Sequence, residues 1–483
     1  MFNAERQHPV AAVTKVLEII KENFISLLIL LFVASGGESM FSLFGILSVI
    51  LVLLIAGVLS WLRFTYSIVD GELRIEQGIF VRKNIYLSKE RIQVIDIKAG
   101  VLQRIFGLVE VEVKTAGSSS KEAKISAITR DKAEQLKSEL RTEYAKNTEA
   151  LDEEEEESFD SYKLSAKDLV ITSFTSGSFG IALSIVGTVF SQLDQVLSEE
   201  QMLYYLETII PESVSANMLV YGILFVIIIS WMLSFLGTLI RYFGFTLTVR
   251  KNELTIRQGL FEQRQLTIPF NRIQAIQVKE GLIRQPFGYA SVILESAGYG
   301  EQEGNSTTLY PLIKKTDIND FLQKVIPDYV TGSLETKAPP RAIRRYMFKM
   351  VLASSLVIVP AWFFMPYWEY TLLLILPALC LGFAQYKAAG IGSKDQTLTI
   401  RSRSLGKTTA VIHKKRIQRV SLNQNPFQKR LGLISYTVTV ASGSQGRSFG
   451  IRELDESEAR KYFRWVSHSS DPESSRESLD VVS

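Results

Sequence analysis

The chain has 483 residues, 47% of them apolar, and a formal net charge of +4 with its histidines neutral. It is too long for one domain and too apolar for a wholly soluble protein. Its only cysteine, Cys380, excludes an intrachain disulfide, and its three histidines, His8, His413 and His468, lie too far apart in the sequence to suggest a catalytic triad or a metal site.

Apolar stretches with little or no charge predict membrane-spanning helices, because each can cross about 30 Å of hydrocarbon at about 1.5 Å per residue. Four are long: residues 41–62, 169–190, 218–240 and 368–385. Two weaker stretches complete three pairs: residues 24–34, extended upstream by 10–20, and residues 350–365. A buried soluble helix or a re-entrant hairpin is the alternative for these two. We therefore predict six spanning helices in three hairpins.

The positions of Lys and Arg predict how the chain is oriented. The links within the three pairs, residues 35–40, 191–217 and 366–367, contain neither residue type. The outer ends of the pairs carry basic residues instead: Lys15, Lys21, Arg63, Arg241, Arg341, Arg344, Arg345, Lys349 and Lys387. Because positive residues stay on the cytoplasmic side, the pattern predicts a multi-pass protein of the bacterial cell membrane whose N-terminus, inter-pair segments and C-terminus are cytoplasmic.

One sequence pattern occurs three times, once after each apolar pair. Arg-Ile-Gln stands at residues 91–93, 272–274 and 416–418, with a leucine 18 residues before each arginine and a glycine 16 residues after it. The leucines are Leu73, Leu254 and Leu398, and the glycines are Gly107, Gly288 and Gly432. Agreement at both offsets indicates three copies of one module, and their wide, unequal separations exclude a stacked solenoid.

Each copy has the pattern of short β-strands followed by one helix. In the first copy, residues 64–69, 72–77 and 79–87 are short segments bounded by turn residues, and residues 109–113 alternate strictly. Helices are predicted at residues 131–144, 315–325 and 455–466. About six or seven strands and a terminal helix in roughly 80 residues predict a small closed or nearly closed barrel with a helix at one end.

The repeated motifs resemble a known family. Arg-Ile-Gln, a stretch ending in Ile-Phe-Gly or Pro-Phe-Gly, and a strand ending in Thr-Ala-Gly or Ser-Ala-Gly are similar to the membrane-flanked bacterial PH-like domain. The three-copy order resembles the YdbT-like membrane proteins of Gram-positive bacteria. The third copy departs from the pattern, with Leu431 before Gly432 and Val-Ala-Ser at residues 440–442. The resemblance implies a pleckstrin-homology-like fold on a membrane anchor, and a smaller membrane protein with one PH-like domain as partner.

We thus predict an α+β membrane protein in which three transmembrane hairpins alternate with three small PH-like β-barrels, each closed by a C-terminal helix. The predicted boundaries are 1–62 for the N-terminal segment and first pair, 63–145 for the first PH-like domain, 146–163 for an acidic linker, 164–240 for the second pair, 241–328 for the second domain, 341–386 for the third pair, 387–466 for the third domain and 467–483 for a disordered tail.

The repeated polar residues are candidates for interaction or for structure: Arg91, Gln93, Arg272, Gln274, Arg416 and Gln418. They either satisfy backbone carbonyls or a carboxylate near a barrel rim, or form a polar rim used three times for one kind of ligand or partner. The repeated glycines Gly107, Gly288 and Gly432 are expected to supply special backbone angles.

The third copy is the basic one, with 16 Lys or Arg against 5 Asp or Glu in residues 385–466. Lys414, Lys415, Arg419, Lys429 and Arg430 are candidate contacts to anionic membrane lipids, each worth about 1 kcal/mol. The ordinary cytoplasmic bias towards positive charge explains the excess equally well. Nucleic acid is not expected as a partner, since no binding motif accompanies the charge.

Enzyme signatures are missing from the sequence. Residues 406–408, Gly-Lys-Thr, end like a phosphate-binding loop, but Arg401 stands where that loop needs a glycine. We expect no catalysis, cofactor or metal, and predict a membrane protein whose cytoplasmic PH-like domains present surfaces to proteins or lipids, in a complex linked to cell-envelope maintenance or defence. The alternative is a translocator or permeability factor whose six helices form a pathway.

Overall fold

The structure of the chain is a computed structural model that describes residues 5–22, 40–69, 72–79, 81–88, 92–115, 123–140, 160–177, 179–191, 216–296, 306–364, 368–442 and 446–467. It divides into two compact units, Met1–Pro269 and Phe270–Ser483, each with its own helices and sheets. Both units combine long apolar helices with short strands that pair antiparallel.

The described part of the first unit contains two sheets. Its helices are α1 (Val10–Glu22), α2 (Met40–Leu62), α3 (Val101–Ile105), α4 (Arg130–Leu140), α5 (Ala166–Phe174), α6 (Phe179–Ser191) and α7 (Ala216–Tyr242). Its strands are β1 (Thr65–Val69), β2 (Glu72–Gln77), β3 (Lys83–Ser88), β4 (Ile92–Ala99), β5 (Leu108–Thr115), β6 (Ala123–Thr129), β7 (Asp160–Lys163), β8 (Thr246–Val249), β9 (Glu253–Gln258) and β10 (Gln263–Pro269). The sheet orders are β1-β2-β3 and β6-β5-β4-β10-β9-β8-β7.

The second unit repeats this plan. Its α-helices are α8 (Ile318–Val325), α9 (Ile343–Phe364), α10 (Ile375–Ala388), α11 (Pro426–Lys429) and α12 (Glu456–Ser467). Its strands are β11 (Ile273–Glu280), β12 (Tyr289–Ser296), β13 (Thr307–Lys314), β14 (Thr336–Lys337), β15 (Gly390–Lys394), β16 (Thr397–Arg403), β17 (Lys407–His413), β18 (Ile417–Asn423), β19 (Leu433–Val440) and β20 (Arg447–Asp455). The sheet orders are β13-β12-β11-β17-β16-β15-β14 and β18-β19-β20.

The core of the first module lies between its two groups of strands and α4. Leu73 and Ile75 point into it from β2, because alternate side chains of a strand share a face. Ala133, Leu136 and Leu140 recur in α4 at intervals of three and four, so they line one face of the helix. These residues are buried, and α4 thereby covers the open side of the sheets.

The predicted closed barrels are wrong, because the sheets stay open. Closure requires the edge strands of a module's two sheets to pair with each other. Among the described residues β3 pairs with β2 alone, whereas the free side of β4 is taken by β10 of the next module. In the second unit β17 occupies the equivalent side of β11. The edge that could close one module therefore extends the sheet of its neighbour.

The predicted count of six spans is not supported. Within the described ranges, three helical segments are long and apolar enough to cross a membrane: Leu224–Tyr242, Pro340–Phe363 and Trp368–Ala388. The prediction at residues 41–62 corresponds to α2, of which Leu51–Leu62 is a shorter apolar segment, and the prediction at 24–34 lies outside the described residues.

The predicted span at residues 169–190 is divided between α5 and α6. The C-cap of α5 is Thr175, and the side-chain hydroxyls of Thr172, Ser173 and Thr175 donate to carbonyls four residues back, at 2.6, 2.9 and 2.7 Å. Hydroxyls bonded in this way compete with the helical backbone pattern and bend helices. An apolar stretch of sufficient length is therefore interrupted by its polar residues.

Candidate functional site

Neighbouring modules are joined by strand pairing in one shared register. In the first unit Gln263 of β10 lies opposite Ala99 of β4. In the second unit Lys407 of β17 lies opposite Glu280 of β11. Glu280 takes the place of Ala99 in the repeat, and Lys407 takes the place of Gln263. The two junctions are therefore copies of one another.

Ion pairs cross both junctions. In the first, Arg264 Nε of β10 donates to Asp96 Oδ2 of β4 at 3.0 Å, and the Asp96 side chain is fully buried. In the second, Lys407 Nζ lies 2.7 Å from Glu280 Oε1. In each case the base belongs to the later module and the acid to the earlier one. Charge-assisted bonds at defined places fix the register as well as the partner strand.

A buried carboxyl group also links the second and third modules. Glu295, near the end of β12, accepts hydrogen bonds from the Gln277 side chain and from Ser442 Oγ, the latter at 2.7 Å. Burial raises the pKa of Glu295 to about 6, although the Ser442 hydrogen bond and nearby Arg447 act in the opposite direction. Burial therefore favours the protonated carboxyl, whereas the contacts from the third module favour the carboxylate.

Ion pairs also connect α1 to the sheet of the first module. Lys124 of β6 lies 2.9 Å from Glu18 of α1 and 3.2 Å from Glu110 of β5. Lys98 of β4 lies 2.8 Å from Glu112 of β5. Burial raises the pKa of Glu110 to about 7 against the opposing effect of Lys124. The side of β5 that carries glutamates is thus covered by a helix and by ion pairs.

A groove of about 390 Å³ lies beside the first junction. Its basic lining residues are Lys98, Arg130, Lys163, Arg257 and Arg264, and Glu134 is acidic. Lys98 and Arg264 are already bound by Glu112 and Asp96. The groove is therefore mainly a surface of the first junction, lined in part by the residues of its ion pairs.

Two strands have a free side where their equivalents pair at the junctions, since no strand lies beside it among the described residues. They are β3, the equivalent of β10 and β17, and β18, the equivalent of β4 and β11. All residues of β18 are exposed or half-buried, whereas all but one residue of β11 are buried. Unpaired backbone N–H and C=O groups at such edges are templates for another strand.

The structure places the repeated arginines and glutamines at strand starts. Arg91 lies outside the described residues, and of Gln93 only the backbone in β4 is described. Arg272 ends the 3-10 helix Phe270–Arg272, and its carbonyl accepts a hydrogen bond from Gln274 Nε2 at 3.2 Å. Gln274 is buried, whereas the equivalent Gln418 is exposed on β18. The two glutamines therefore do not contribute to the same kind of polar surface in their modules.

Arg416 ends the 3-10 helix Lys414–Arg416 and lies beside the hydroxyl of Tyr329. That hydroxyl donates to the carbonyl of Ile273 at 3.0 Å. Burial raises the pKa of Tyr329 to about 12, and Arg416 opposes the shift. The arginine of the third module thus contacts the residue that anchors the start of β11, which favours the structural interpretation for this copy.

The repeated glycines share one backbone conformation. Gly107, Gly288 and Gly432 have φ angles of +65°, +70° and +60°. A Cβ at Gly107 or Gly288 would meet no atom within 4 Å, so the requirement comes from the backbone angle and not from lack of space.

The basic residues proposed to contact lipids are divided between the two ends of β18. Lys414 lies over the Trp465 ring at 5.2 Å, and it precedes β18 together with the exposed Lys415. Lys429 and Arg430 follow β18, near the start of α9. Arg419 lies on the strand itself. A strand of this length separates its ends by about 20 Å, so the five residues do not form one cluster.

The junctions and edges were not found from the sequence, because their residues carry no motif. Within the described part of the chain, no group of three or more His, Cys, Asp and Glu side chains is arranged to hold a metal ion. The one sequence signal for the junctions is a base in one strand that recurs with an acid in another: Arg264 of β10 with Asp96 of β4, and Lys407 of β17 with Glu280 of β11. This signal becomes readable only when the pairing is known.

Comparison with known proteins identifies the modules. The model of the family described as the bacterial PH domain matches residues 23–144, 193–327 and 351–470. The chain belongs to the bacterial PH domain family. Each matched range includes apolar helix ahead of the strands, so the spanning segments are part of the repeated unit.

A relative supports this family assignment over nearly the full length. The "UPF0699 transmembrane protein YdbT" of Bacillus subtilis (strain 168) is 34% identical over 491 aligned positions, which cover 97% of this chain and 99% of the relative. The chain is a membrane protein with three bacterial PH domains. None of the solved structures matches it.

Proposed function

We propose that this protein is a non-enzymatic assembly platform of the bacterial cell membrane, which binds a partner protein at the open edge of β3. The observation that carries the proposal is the repeated junction. The chain joins one PH domain to the next twice by the same strand pairing, and among the described residues of the first domain β3 is the edge of this kind that has no strand beside it.

The chemistry of β3 indicates the partner. Lys83 occupies the place of Arg264, which binds Asp96 of the preceding PH domain. Lys83 is exposed, so a strand equivalent to β4 with an acid at the place of Asp96 would complete the junction. A smaller membrane protein with a single PH domain can supply such a strand.

A second copy of the chain fits the edge less well. Its strand for this pairing would be β18. Ser421 on β18 stands at the place of Asp96 and Gln277, and Gln424, which follows β18 directly, stands at the place of Glu280. Neither carries the carboxylate that pairs with a base at the existing junctions. Pairing β3 with β18 would therefore leave Lys83 without an acid.

The proposal places the PH domains and both termini in the cytoplasm. The absence of Lys and Arg in residues 191–217, against the basic residues that flank the helices, supports this orientation. We further propose that the complex serves cell-envelope maintenance or defence, in line with a platform fixed in the membrane.

Site-specific photo-crosslinking in intact cells tests the proposed edge. A photoreactive residue replaces Tyr86, which is exposed on β3, and a matched control replaces Glu76, exposed on the central strand β2. The expected result is an adduct at position 86 with one small PH-domain membrane protein, identified by mass spectrometry, and no adduct at position 76.

The charge prediction is tested in the same experiment. Lys83→Glu is expected to remove most of the adduct, since it places two acids opposite each other, and Lys83→Arg is expected to retain it. Adducts of equal yield at positions 76 and 86, an adduct with a second copy of the chain, or indifference to Lys83→Glu would each contradict the proposal.

A further inference from the structure

One turn in each bacterial PH domain exposes large apolar side chains. The turns follow β4, β11 and β18: turn 1 is residues 101–107, turn 2 is residues 282–288 and turn 3 is residues 426–432. Phe106, Phe287 and Leu431 stand at equivalent places before the repeated glycines, and all three are exposed, Phe287 by 68%. Single exposed apolar residues are ordinary, but the same place exposed in three copies indicates a contact.

The polarity of turns 1 and 3 is inverted, and turn 2 exposes Leu282 and Ile283. In turn 1 Gln103 is buried and Val101 and Ile105 are exposed. In turn 3 Gln428 is 3% exposed, because it is held by the capping box with Asn425, whereas Phe427 is 67% exposed. A turn that faces water buries its apolar side chains and exposes its amides. The outer surface of these turns therefore suits an apolar environment.

Hydrogen bonds connect turn 1 to the end of a candidate spanning helix. Arg104 Nη1 donates to the carbonyl of Leu260 at 2.6 Å. The backbone N–H of Leu260 donates to the carbonyl of Ile240 at 2.9 Å, in the last turns of α7. Ile240 belongs to the segment Leu224–Tyr242, which is long and apolar enough to cross a membrane. Turn 1 is thus held at the level where this helix would leave the bilayer.

Turn 3 is hydrogen-bonded to the start of the candidate span Pro340–Phe363. Arg341 Nη2 donates to the carbonyl of Gly432 at 3.3 Å, and Arg345 Nη2 donates to Asn425 Oδ1 at 3.5 Å. Both arginines belong to the candidate span Pro340–Phe363. The exposed Lys429 lies between the apolar side chains of turn 3, where it could contact a phosphate headgroup.

Turn 2 is connected to α10 in the same manner. The Gln285 side chain accepts a hydrogen bond from Arg403 at the tip of the β16–β17 hairpin. The neighbouring Ser404 carbonyl accepts one from Gln385 Nε2 at 3.0 Å, near the end of the candidate span Trp368–Ala388. All three turns are therefore fixed at the module side of a candidate spanning helix.

We propose that turns 1, 2 and 3 insert their apolar side chains into the interfacial region of the membrane leaflet nearest the PH domains. Apolar side chains at this depth enter the boundary between headgroups and acyl chains, while flanking bases contact anionic headgroups. Each PH domain is then held against the bilayer by its own turn as well as by its helices. Insertion of the turns requires no partner at β3.

Depth-dependent quenching tests the proposal on the full-length chain. Cys380→Ser provides a background without the native cysteine, and Phe427→Cys, Phe287→Cys or Lys415→Cys is labelled with one fluorophore in nanodiscs of phosphatidylcholine and phosphatidylglycerol. Lys415 is the matched control because it is exposed and lies at the other end of β18 from turn 3. Monodisperse elution and unchanged circular dichroism establish that each variant is folded.

The expected result is that lipids with a nitroxide at a shallow acyl position quench the dyes at positions 427 and 287 about twofold more than the dye at 415. Aqueous iodide should show the reverse order. If iodide quenches the three positions equally, the turns face water. If positions 427 and 287 are shielded from both quenchers, protein covers the turns. Either outcome would overturn the proposal.

Discussion

Glu295 shows how a single residue couples two PH domains. It belongs to the second module and accepts a hydrogen bond from Ser442 of the third, and burial raises its pKa from 4.5 to about 6. The folded protein therefore binds this proton more tightly than the unfolded chain does. The contribution of Glu295 to stability is therefore fully present below about pH 4.5 and is lost as the pH rises through 6, where the buried carboxylate must form.

We predict that Glu295→Gln raises the free energy of unfolding at about pH 7.5 by roughly 2 kcal/mol, because the amide removes the cost of a buried charge. The hydroxyl of Ser442 can rotate to accept from the amide. Thermal unfolding in detergent, followed by tryptophan fluorescence at about pH 4.5 and pH 7.5, measures the effect. Glu262→Gln, at an exposed site, is the control, and a Glu295→Gln protein that is less stable at pH 7.5 would contradict the account.

At the level of residues, the sequence could predict conformations better than contacts. The offset of 16 residues marked Gly107, Gly288 and Gly432, which share a positive φ. The same repeat also suggested equal roles for Gln274 and Gln418, but one is buried and the other exposed, because β11 is paired with β17 and β18 lies at an edge. Equivalent residues differ where their neighbours differ.

Individual strands could be predicted, whereas their partners could not. Period-two patterns and turn residues located β1, β2 and β5 in the sequence. Pairing of β4 with β10 joins residues more than 160 positions apart, and no local pattern carries that information. The alternation of β5 likewise carries no information on the ion pairs that cover its glutamates, Lys98 with Glu112 and Lys124 with Glu110.

The junction between β4 and β10 depends on a buried ion pair. We predict that Arg264→Gln lowers the free energy of unfolding by roughly 2 kcal/mol, because the fully buried Asp96 carboxylate loses the guanidinium and keeps Lys98 Nζ, at 3.8 Å, as a base. Urea denaturation of the solubilised protein measures the change. The matched control is Arg257→Gln on the neighbouring strand β9, an exposed site where a cost below about 0.5 kcal/mol is expected.

Equal effects of the Arg264 and Arg257 variants would show that the ion pair does not hold the junction. Arg264→Gln combined with Asp96→Asn tests whether stability can be restored, since the second substitution removes the buried carboxylate that Arg264 balances. The double variant should be more stable than Arg264→Gln alone.

For the whole molecule, the central claim is that adjacent bacterial PH domains share one continuous sheet. This arrangement explains why the barrels do not close and why the two junctions have the same register. Composition and repetition could predict a membrane protein with three such modules. The sequence does not indicate whether the edge strand of a module pairs within its own module or with a strand of the next one. Contacts between residues far apart in the sequence determine which of these pairings forms.

Disulfide formation across the second junction measures this claim most directly. In a Cys380→Ser background, Lys279→Cys is combined with Thr408→Cys, its opposite residue on β17. The control combines Ser291→Cys with Thr408→Cys. Ser291 lies opposite Lys279 on β12, so it is two strands from Thr408 at about 10 Å, beyond disulfide reach.

Mild oxidation of membranes should form the bond in the Lys279→Cys/Thr408→Cys protein and not in the Ser291→Cys/Thr408→Cys protein, as read by a gel shift after thiol labelling. This result would place β17 of the third PH domain directly beside β11 of the second. No bond in the first pair, or equal bond formation in both, would contradict the shared sheet.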